Sequence, residues 1–455
     1  MIPSTRPSRP HRRADTFAFG SGDAWRPLRL VLDDDTLTPA ESAELLAFGH
    51  YPEVELVRTA PDNVPRLEIE EPREDFVPIR RVGNGVGAFS VWHAARLRAQ
   101  AQEVAGQVEI TEEDAYRALV FTRAAEGADA DGFVTNHDFL RTEYRLRDAS
   151  VYTPVEAMAL VGLAMRLHGN QSIGADLTDL RLSGSTYHFV LGRELTHAGW
   201  RWFSGCVATS HATKDDTAIN LGQAALERFQ RVLQIRDRLH AQAKIPSTPT
   251  VGDELVFQFE TLLLFLSATF DAAARVAHLV YFGGDYEEAG WRRGDWAKRL
   301  AAAEPALAAL VADGTPGGTV LKLIARMRNT IHGEALRPIT LQSSGRPTEN
   351  PIQLGAKDAA NAVADIVFLG DDPAAWGLRQ EHSRTYLSAD RYAECLLPRA
   401  VSVLNDLMAA TAIERLPSVD SQKLMIPPTN TPSPKPLEDM FSFEIRQRVR
   451  RLGGF

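Results

Sequence analysis

The C-terminal half of the chain contains long runs in which apolar residues recur with helical periodicity. From about 253 to 282 the residues are apolar on most faces of a helix, and such a helix is buried on most faces. At about 100° per residue, Glu260, Asp271, Arg275 and His278 fall on one narrow polar stripe. This stripe is either the solvated edge of an amphipathic helix or a set of groups that face polar partners in a cleft, because isolated buried charge is unfavourable.

The same periodicity predicts further helices, separated by segments that contain Pro and Gly. They lie at about 111–125, 154–168, 178–204, 215–243, 293–311, 317–332 and 389–414. Thr153 before Pro154 and, in a shorter helix, Thr38 before Pro39 supply an N-cap followed by proline at the first helical position. The region 337–388 lacks helical periodicity and is predicted to be an irregular insertion.

Short alternating runs in the N-terminal region predict strands. The runs VELV at 54–57 and FVPIRRV at 76–82 have the two-residue period of half-buried strands. The second run leads into GNGVGA at 83–88, which has the glycine spacing of a dinucleotide-binding turn. Its preceding strand carries Arg80 and Arg81 where a buried parallel strand is apolar. We therefore predict a glycine-rich strand-to-helix turn and no nucleotide cofactor.

The length of 455 residues predicts two domains. The fold class is predicted to be mainly α, with a helical N-terminal domain at 25–243 that starts with a small mixed α/β part. A helical bundle at 253–416 is expected to follow it. The segment AKIPSTPTVG at 243–252 has the composition of a linker. Residues 1–24 and 417–455 are expected to be weakly docked or Pro-rich tails.

Composition narrows the classes of function. The net charge of −9 argues against a general nucleic-acid coat, although a local basic cleft is compatible with it. Hydrophobic and charged contents of 44% and 24% are those of a soluble globular protein. No apolar run reaches the ~18 to 20 residues of a membrane span, and the N-terminal residues lack the apolar core of a secretory signal. We therefore expect a cytoplasmic protein without membrane contact.

The sequence offers few metal ligands in a usable pattern. Cys206 and Cys395 make neither a disulfide framework nor a zinc cluster. Glu194 and His197 have the spacing used in di-iron helical bundles, but such a site needs a second motif and two more glutamates. Both residues are predicted to be surface or capping residues, and no metal site is predicted.

Groups that could perform chemistry lie at the end of the predicted helix 317–332. Arg328, Asn329 and His332 fall in its last turn, and Gly333 can adopt the left-handed conformation of a C-cap. The helix dipole favours the protonated form of a histidine at this end. His332 could move protons while Arg328 holds a phosphate, a combination suited to metal-free phosphodiester cleavage. The alternative is a helix C-cap with an Arg–His pair of no function.

The same residues resemble the signature of a known superfamily. The run RNTIHG at 328–333, preceded by a long apolar helix that carries Asp271, is similar to the motif of the HEPN superfamily. Its members are all-α domains, and many are RNases of toxin, anti-phage and RNA-processing systems. The resemblance covers about 253–414. It implies a metal-independent endoribonuclease, with RNA as the partner and no cofactor.

The resemblance also implies a role for each residue of the site. His332 is expected to be the general acid/base, Arg328 the phosphate clamp and Asn329 an orienting group. Independently of the resemblance, the polar stripe of the long helix is expected to face the end of the motif helix, because both polar sets need a shared non-apolar environment. Glu260, Asp271 and His278 are therefore the expected supporting residues. The superfamily implies a homodimer in which two motifs share a cleft.

The spacing of the motif departs from the signature, which places roughly four to six residues between the arginine and the histidine. Three residues separate Arg328 from His332, whereas five separate Arg326 from it. Arg326 has no adjacent asparagine and lies about 120° from His332 around the helix, which favours Arg328 as the partner. A domain that keeps the fold without catalysis, as a dimerisation or sensing module, is the alternative.

Overall fold

The structure is a computed structural model of the chain. The residues it describes are 16–20, 22–59, 74–81, 86–92, 94–127, 130–142, 150–173, 183–245, 247–330, 336–339, 350–381, 383–425 and 443–455. Two compact units cover Met1–Leu180 and Arg181–Gly453, and the last two residues are divided between them. The division therefore lies near 180, whereas the sequence predicted a linker at 243–252.

The N-terminal unit is built around a mixed β-sheet. Its strands are β1 (Leu28–Leu32), β2 (Val54–Thr59), β3 (Glu74–Arg81), β4 (Val86–Trp92), β5 (Gly132–Val134) and β6 (Ser150–Tyr152). The strand order is β4-β3-β2-β1-β5-β6. Strands β2, β1, β5 and β6 are parallel, whereas β3 and β4 pair antiparallel at one side. Every residue of β1 is buried, as expected for a central parallel strand.

Helices cover the sheet of the N-terminal unit. They are α1 (Pro39–Leu46), α2 (Ala94–Gln107), α3 (Glu112–Gly127), α4 (Phe139–Thr142) and α5 (Pro154–Leu167). Val31 of β1 and Phe133 of β5 pack in one apolar cluster with buried residues of α2 and α3, among them Leu97 and Leu119. Helix α5 contacts β1, β2, β5 and β6. The unit is thus an α/β structure rather than the helical domain with a small mixed start that the sequence predicted.

Local sequence signals in this unit match the structure closely. Thr38 and Thr153 each form a full capping box, with Pro39 and Pro154 in the first turn of α1 and α5. The strands predicted at 54–57 and 76–82 correspond to β2 and β3, and are confirmed. The glycine run at 83–88 was predicted to lead into a helix, but β3 and β4 pair as antiparallel strands on either side of residues 82–85.

The C-terminal unit is mainly helical. Its helices are α6 (Gly184–Leu195), α7 (Gly199–Thr213), α8 (Thr217–Ala243), α9 (Pro249–Tyr281), α10 (Gly294–Ala303), α11 (Pro305–Ala309), α12 (Pro316–Thr330), α13 (Ala356–Phe368), α14 (Ala389–Ala410) and α15 (Phe443–Leu452). A four-stranded antiparallel sheet accompanies them, in the order β7 (Arg337–Pro338), β8 (Ile352–Leu354), β10 (Arg384–Leu387), β9 (Leu378–Glu381). Short 3₁₀ helices lie at Ile413–Arg415 and Ser421–Lys423 in this unit and at Gly22–Ala24 in the N-terminal unit.

Helix α9 is the central element of this unit. It packs along α8 and also contacts α12 and α14. Phe259, Leu262, Leu263 and Val276 are fully buried on it. By length and hydropathy alone α9 could cross a membrane, but 61% of its most apolar window is buried inside the unit. Packing in a protein core therefore accounts for its apolar sequence.

Three sequence predictions for this unit require correction. The helix predicted at 178–204 is two helices, α6 and α7, and the helix predicted at 293–311 is α10 and α11. Pro305 explains the second break, because it cannot donate a hydrogen bond within a continuous helix. The supposed irregular insertion at 337–388 contains α13 and all four strands of the second sheet. The chain as a whole is mainly helical, as predicted.

The buried face of α9 can be tested by truncating one aromatic residue. Phe259 is fully buried and meets Tyr392 edge to face, with ring centroids 5.8 Å apart. Phe259→Ala should lower the free energy of unfolding by ~3 to 5 kcal/mol, measured from the urea transition of the C-terminal unit. Phe368→Ala, at a side chain 52% exposed on α13, is the matched control. An equal loss in both variants would contradict the central position of α9.

Candidate functional site

The candidate site lies where the end of α12 meets the middle of α9. Leu323, Ile324 and Met327 are buried, and this apolar face fixes the orientation of α12. Arg328 and Asn329 follow in the last described turn, with Arg328 half-buried and Asn329 exposed. The sequence periodicity therefore sets which way the polar end of the helix points.

Arg328 holds its guanidinium group against α9. Nη1 donates a hydrogen bond to Ser267 Oγ at 3.0 Å, and Nη2 donates to Asn329 Oδ1 at 3.1 Å. The buried Nε has no hydrogen-bond partner. Within the described part of the chain no carboxylate forms an ion pair with Arg328. The described groups that hold the guanidinium are therefore neutral, and none of the described carboxylates pairs with it directly.

Further arginines surround the same surface of α9, around Asp271. Partial burial raises the pKa of the Asp271 carboxyl by desolvation, whereas the guanidinium groups of four arginines act to lower it. We call these four residues the arginine cluster: Arg228, Arg275, Arg293 and Arg328. Arg293 is paired with Glu288 at 2.7 Å. Among the described residues, Arg228, Arg275 and Arg328 form no ion pair, and Asp271 is the carboxyl group on which all three guanidinium groups act. Cations therefore outnumber carboxylates in this group of residues.

The members of the arginine cluster come from separate segments of the C-terminal unit. Arg228 projects from α8 and donates from Nη1 to the carbonyl oxygen of Ala268 at 3.1 Å. Arg275 lies one turn beyond Asp271 on α9, and its buried Nε has no hydrogen-bond partner. Tertiary packing, rather than a basic run in the sequence, thus brings these cations together.

Arg326 is separated from this surface. Its Nη1 lies 3.0 Å from Asp365 Oδ2 of α13, at ion-pair distance although the angles do not suit a hydrogen bond. The Arg326 charge therefore has a carboxylate partner, unlike that of Arg328. The helical geometry that separated the two arginines in the sequence holds in the structure.

The remaining predicted residues are placed differently. His332 lies outside the described residues, since α12 is described only as far as Thr330. Glu260 is half-buried on α9, and burial raises the pKa of its carboxyl. It lies seven residues before Ser267, or about 10 Å along the helix axis. Asp271 alone among the predicted supporting residues is close enough to Arg328 for the guanidinium to affect its pKa.

His278 does not face the motif, and its predicted position requires correction. It is buried, and its Nδ1 accepts a hydrogen bond of 3.0 Å from Trp296 Nε1. Its ring also meets that of Phe282 edge to face. His278 lies about 16 Å along the helix from Ser267, so it supports the packing of α9 against α10.

Glu194 also differs from its prediction as a surface or capping residue. It forms an ion pair of 2.9 Å with Arg446 of α15, and both side chains are largely buried. His197 is exposed, as expected. Of the two residues with the di-iron spacing, Glu194 therefore holds the C-terminal helix α15 through its ion pair with Arg446.

The sequence reasoning missed a cavity in the N-terminal unit. It has a volume of about 510 Å³ and lies at the carboxyl ends of β1 and β5. We call it the edge cavity. Its acidic lining residues are Asp33, Asp35, Glu109, Asp114 and Asp138. A sequence signal existed, because Asp33 to Asp35 directly follow the apolar strand LRLVL, and the end of a central parallel strand is a common place for ligands.

The role of His278 can be tested by pH. Burial and the nearby Arg299 guanidinium lower the pKa of His278. His278 takes up a proton more readily in the unfolded chain than in the folded protein. The stabilisation that neutral His278 provides is therefore complete above about pH 6.5 and is lost as the pH falls towards the pKa of His278 in the folded protein. His278→Gln should therefore differ from the wild type in urea midpoint at about pH 7.5 and differ less at about pH 5. A constant difference would contradict this role.

No protein-family model, curated protein or solved structure matches this chain.

Proposed function

We propose that the chain is a metal-independent endoribonuclease of the HEPN type, acting in the cytoplasm in anti-phage or toxin-type defence. Arg328 is the proposed phosphate clamp, Asn329 the orienting group and His332 the general acid/base. RNA is the proposed substrate. The single observation that supports this proposal is the arginine cluster, in which the half-buried guanidinium of Arg328 has no carboxylate partner among the described residues.

The physical reason is the cost of an unneutralised cation near the protein interior. A half-buried guanidinium is normally paired with a carboxylate, because partial desolvation of a charge is unfavourable. Arg326, two residues away, follows this rule with Asp365. Arg328 has no such partner among the described residues, and the guanidinium groups of Arg228 and Arg275 act with it on Asp271. A phosphate group entering this surface would supply the missing negative charge.

The proposed reaction is an internal transfer of the phosphate. The ribose 2′-oxygen forms a bond to phosphorus while the bond from phosphorus to the 5′-oxygen breaks. A proton leaves the 2′-hydroxyl and another reaches the departing 5′-oxygen, and we assign both proton transfers to His332. Arg328 stabilises the charge that develops on the phosphate oxygens. The products are a 2′,3′-cyclic phosphate end and a 5′-hydroxyl end.

A second candidate is a catalytically silent module that works through dimerisation. Phe257 and Leu264 are 59% and 42% exposed and lie on the same face of α9 as Glu260 and Asp271. Large exposed apolar side chains in a row favour a protein interface over a bare surface. A homodimer formed through this face is common to both candidates, since it would bring two motif helices to one cleft.

The chemistry predicts a specific order among alanine variants in RNA cleavage with EDTA present. His332→Ala should lose ~10² to 10⁴-fold in rate, because the proton transfer is removed. Arg328→Ala should lose an amount equivalent to ~2.7 to 4 kcal/mol, because a charge stabiliser is removed. Arg326→Ala, whose charge is paired with Asp365, is the matched control and should lose much less.

Two results would contradict the cleavage mechanism. One is activity that disappears with EDTA, and the other is unchanged activity in His332→Ala. A larger loss in Arg326→Ala than in Arg328→Ala would show that Arg326 is the phosphate clamp. The number of residues between arginine and histidine in the signature would then identify the clamp better than the observed geometry does. Ends other than 2′,3′-cyclic phosphates, identified by mass spectrometry, would exclude the 2′-hydroxyl as the attacking group.

The proposed dimer can be tested separately from cleavage. Leu264→Asp places a charge at the centre of the exposed face of α9 and should convert a dimer into a monomer in sedimentation velocity at micromolar concentration. Val367→Asp is the control, at a side chain 57% exposed on α13, and should remain dimeric. A monomeric wild type, or dissociation of both variants, would remove this face from consideration.

A further inference from the structure

The edge cavity lies where the topology of the N-terminal sheet changes direction. The chain runs from β1 through α1 to β2 on one side, and later places β5 on the other side of β1. The connections that leave the carboxyl ends of β1 and β5 therefore diverge. In parallel sheets a crevice opens at such a point, and it is the usual place for a ligand. The volume of about 510 Å³ is in the range of small-molecule sites.

Hydrogen bonds fix the floor of the edge cavity. Asp33 Oδ2 accepts from the hydroxyls of Thr36 at 2.9 Å and Thr135 at 2.7 Å. These hydroxyls in turn accept from the backbone N–H groups of Asn136 and His137, each at 3.1 Å. Thr36 Oγ1 and Thr135 Oγ1 also lie 3.0 Å apart, and either hydroxyl can donate to the other. The two strand ends are thereby joined in a preformed arrangement.

The charges of the lining residues determine whether the edge cavity favours an anion or a cation. Among the described lining residues there are five carboxyl groups and one guanidinium, that of Arg117. Arg117 is already engaged, because its Nε and Nη2 donate to the two oxygens of Asp35 at 2.9 Å each. Asp114 accepts from Thr111 Oγ1 at 2.6 Å, a neutral partner. Carboxyl groups therefore outnumber cations among the described lining residues, which disfavours anions and favours a cation.

The lining of the edge cavity also contains apolar residues. They are Val108, Ile110, Ala118, Phe121 and Phe139. A bare metal ion gains nothing from such side chains. Among the described residues, no three His, Cys, Asp or Glu side chains are grouped in a way that could hold a metal ion. An organic ligand can use both kinds of lining residue, with a charged head near the carboxylates and an apolar body against the apolar side chains.

We propose that the edge cavity binds a small organic cation, in which an amine or guanidine head is joined to an apolar or aromatic body. The head lies near Asp114 and Asp138, and the body lies against Phe121 and Phe139. This site is independent of the arginine cluster, which lies in the other unit and attracts the opposite charge. The N-terminal unit thereby has a ligand-binding role of its own.

Calorimetric titration of the full chain tests the proposal with matched probes. Phenethylamine, tyramine and tryptamine are compared with 3-(4-hydroxyphenyl)propionate, which carries a carboxylate in place of the amine. At least one amine should bind saturably with a Kd below about 1 mM, and the carboxylate should not bind. Asp114→Asn and Asp138→Asn should each weaken amine binding about tenfold or more. Glu113→Gln, which removes a charge from the same turn of α3 outside the cavity, should leave it unchanged.

The proposal is overturned by any of three results. The first is that none of the amines binds. The second is that the carboxylate binds as tightly as tyramine, or that amine binding survives both Asp114→Asn and Asp138→Asn. The third is saturable binding of MgCl₂ or MnCl₂ alone that displaces the amines, which would identify the edge cavity as a metal site. Circular dichroism of each variant verifies that a loss of binding does not come from unfolding.

Discussion

The burial of α9 is the constraint on which the C-terminal unit depends. This helix presents apolar residues to α8, α12 and α14, and its fully buried side chains leave only one narrow face for polar groups. That face receives Arg328 at Ser267 and Arg228 at Ala268. Because both arginines bind neighbouring residues of one rigid helix, two cations from different helices are held on the same surface. The packing of an apolar core therefore determines where positive charge collects.

The proposed function rests on the contrast between the partners of Arg326 and those of Arg328. Both arginines are half-buried on the last turns of α12, but Arg326 has Asp365 and Arg328 has only neutral partners among the described residues. Departures from local pairing rules are expected mainly at functional or strained sites. Asp271 moderates the arginine cluster without cancelling it, since four guanidinium groups influence one carboxylate.

Local signals in the sequence were sufficient to predict those elements that depend on residues adjacent in the chain. The capping box at Thr153 and the apolar period after it place α5 almost to the residue. The break between α6 and α7 was not predictable in this way, because Asn405 of α14 makes it. Its side chain accepts from the Ala198 N–H at 3.0 Å and donates to the Leu195 carbonyl at 2.7 Å. The same limit applies to the site, where the sequence identified Arg328 but not its neighbour Arg228, and misplaced His278.

The central claim is that the arginine cluster binds a polyanion, and the salt dependence of RNA binding tests it most directly. Fluorescence anisotropy of a labelled single-stranded RNA with the His332→Ala protein separates binding from cleavage. The account predicts that the logarithm of the affinity falls linearly with the logarithm of the NaCl concentration. The magnitude of this slope should fall by about 0.7 for each phosphate that is no longer neutralised in the Arg228→Ala, Arg275→Ala and Arg328→Ala variants, and stay unchanged in Arg326→Ala. Absence of RNA binding, or a slope that is unaltered in all three of the Arg228→Ala, Arg275→Ala and Arg328→Ala variants, would contradict the account.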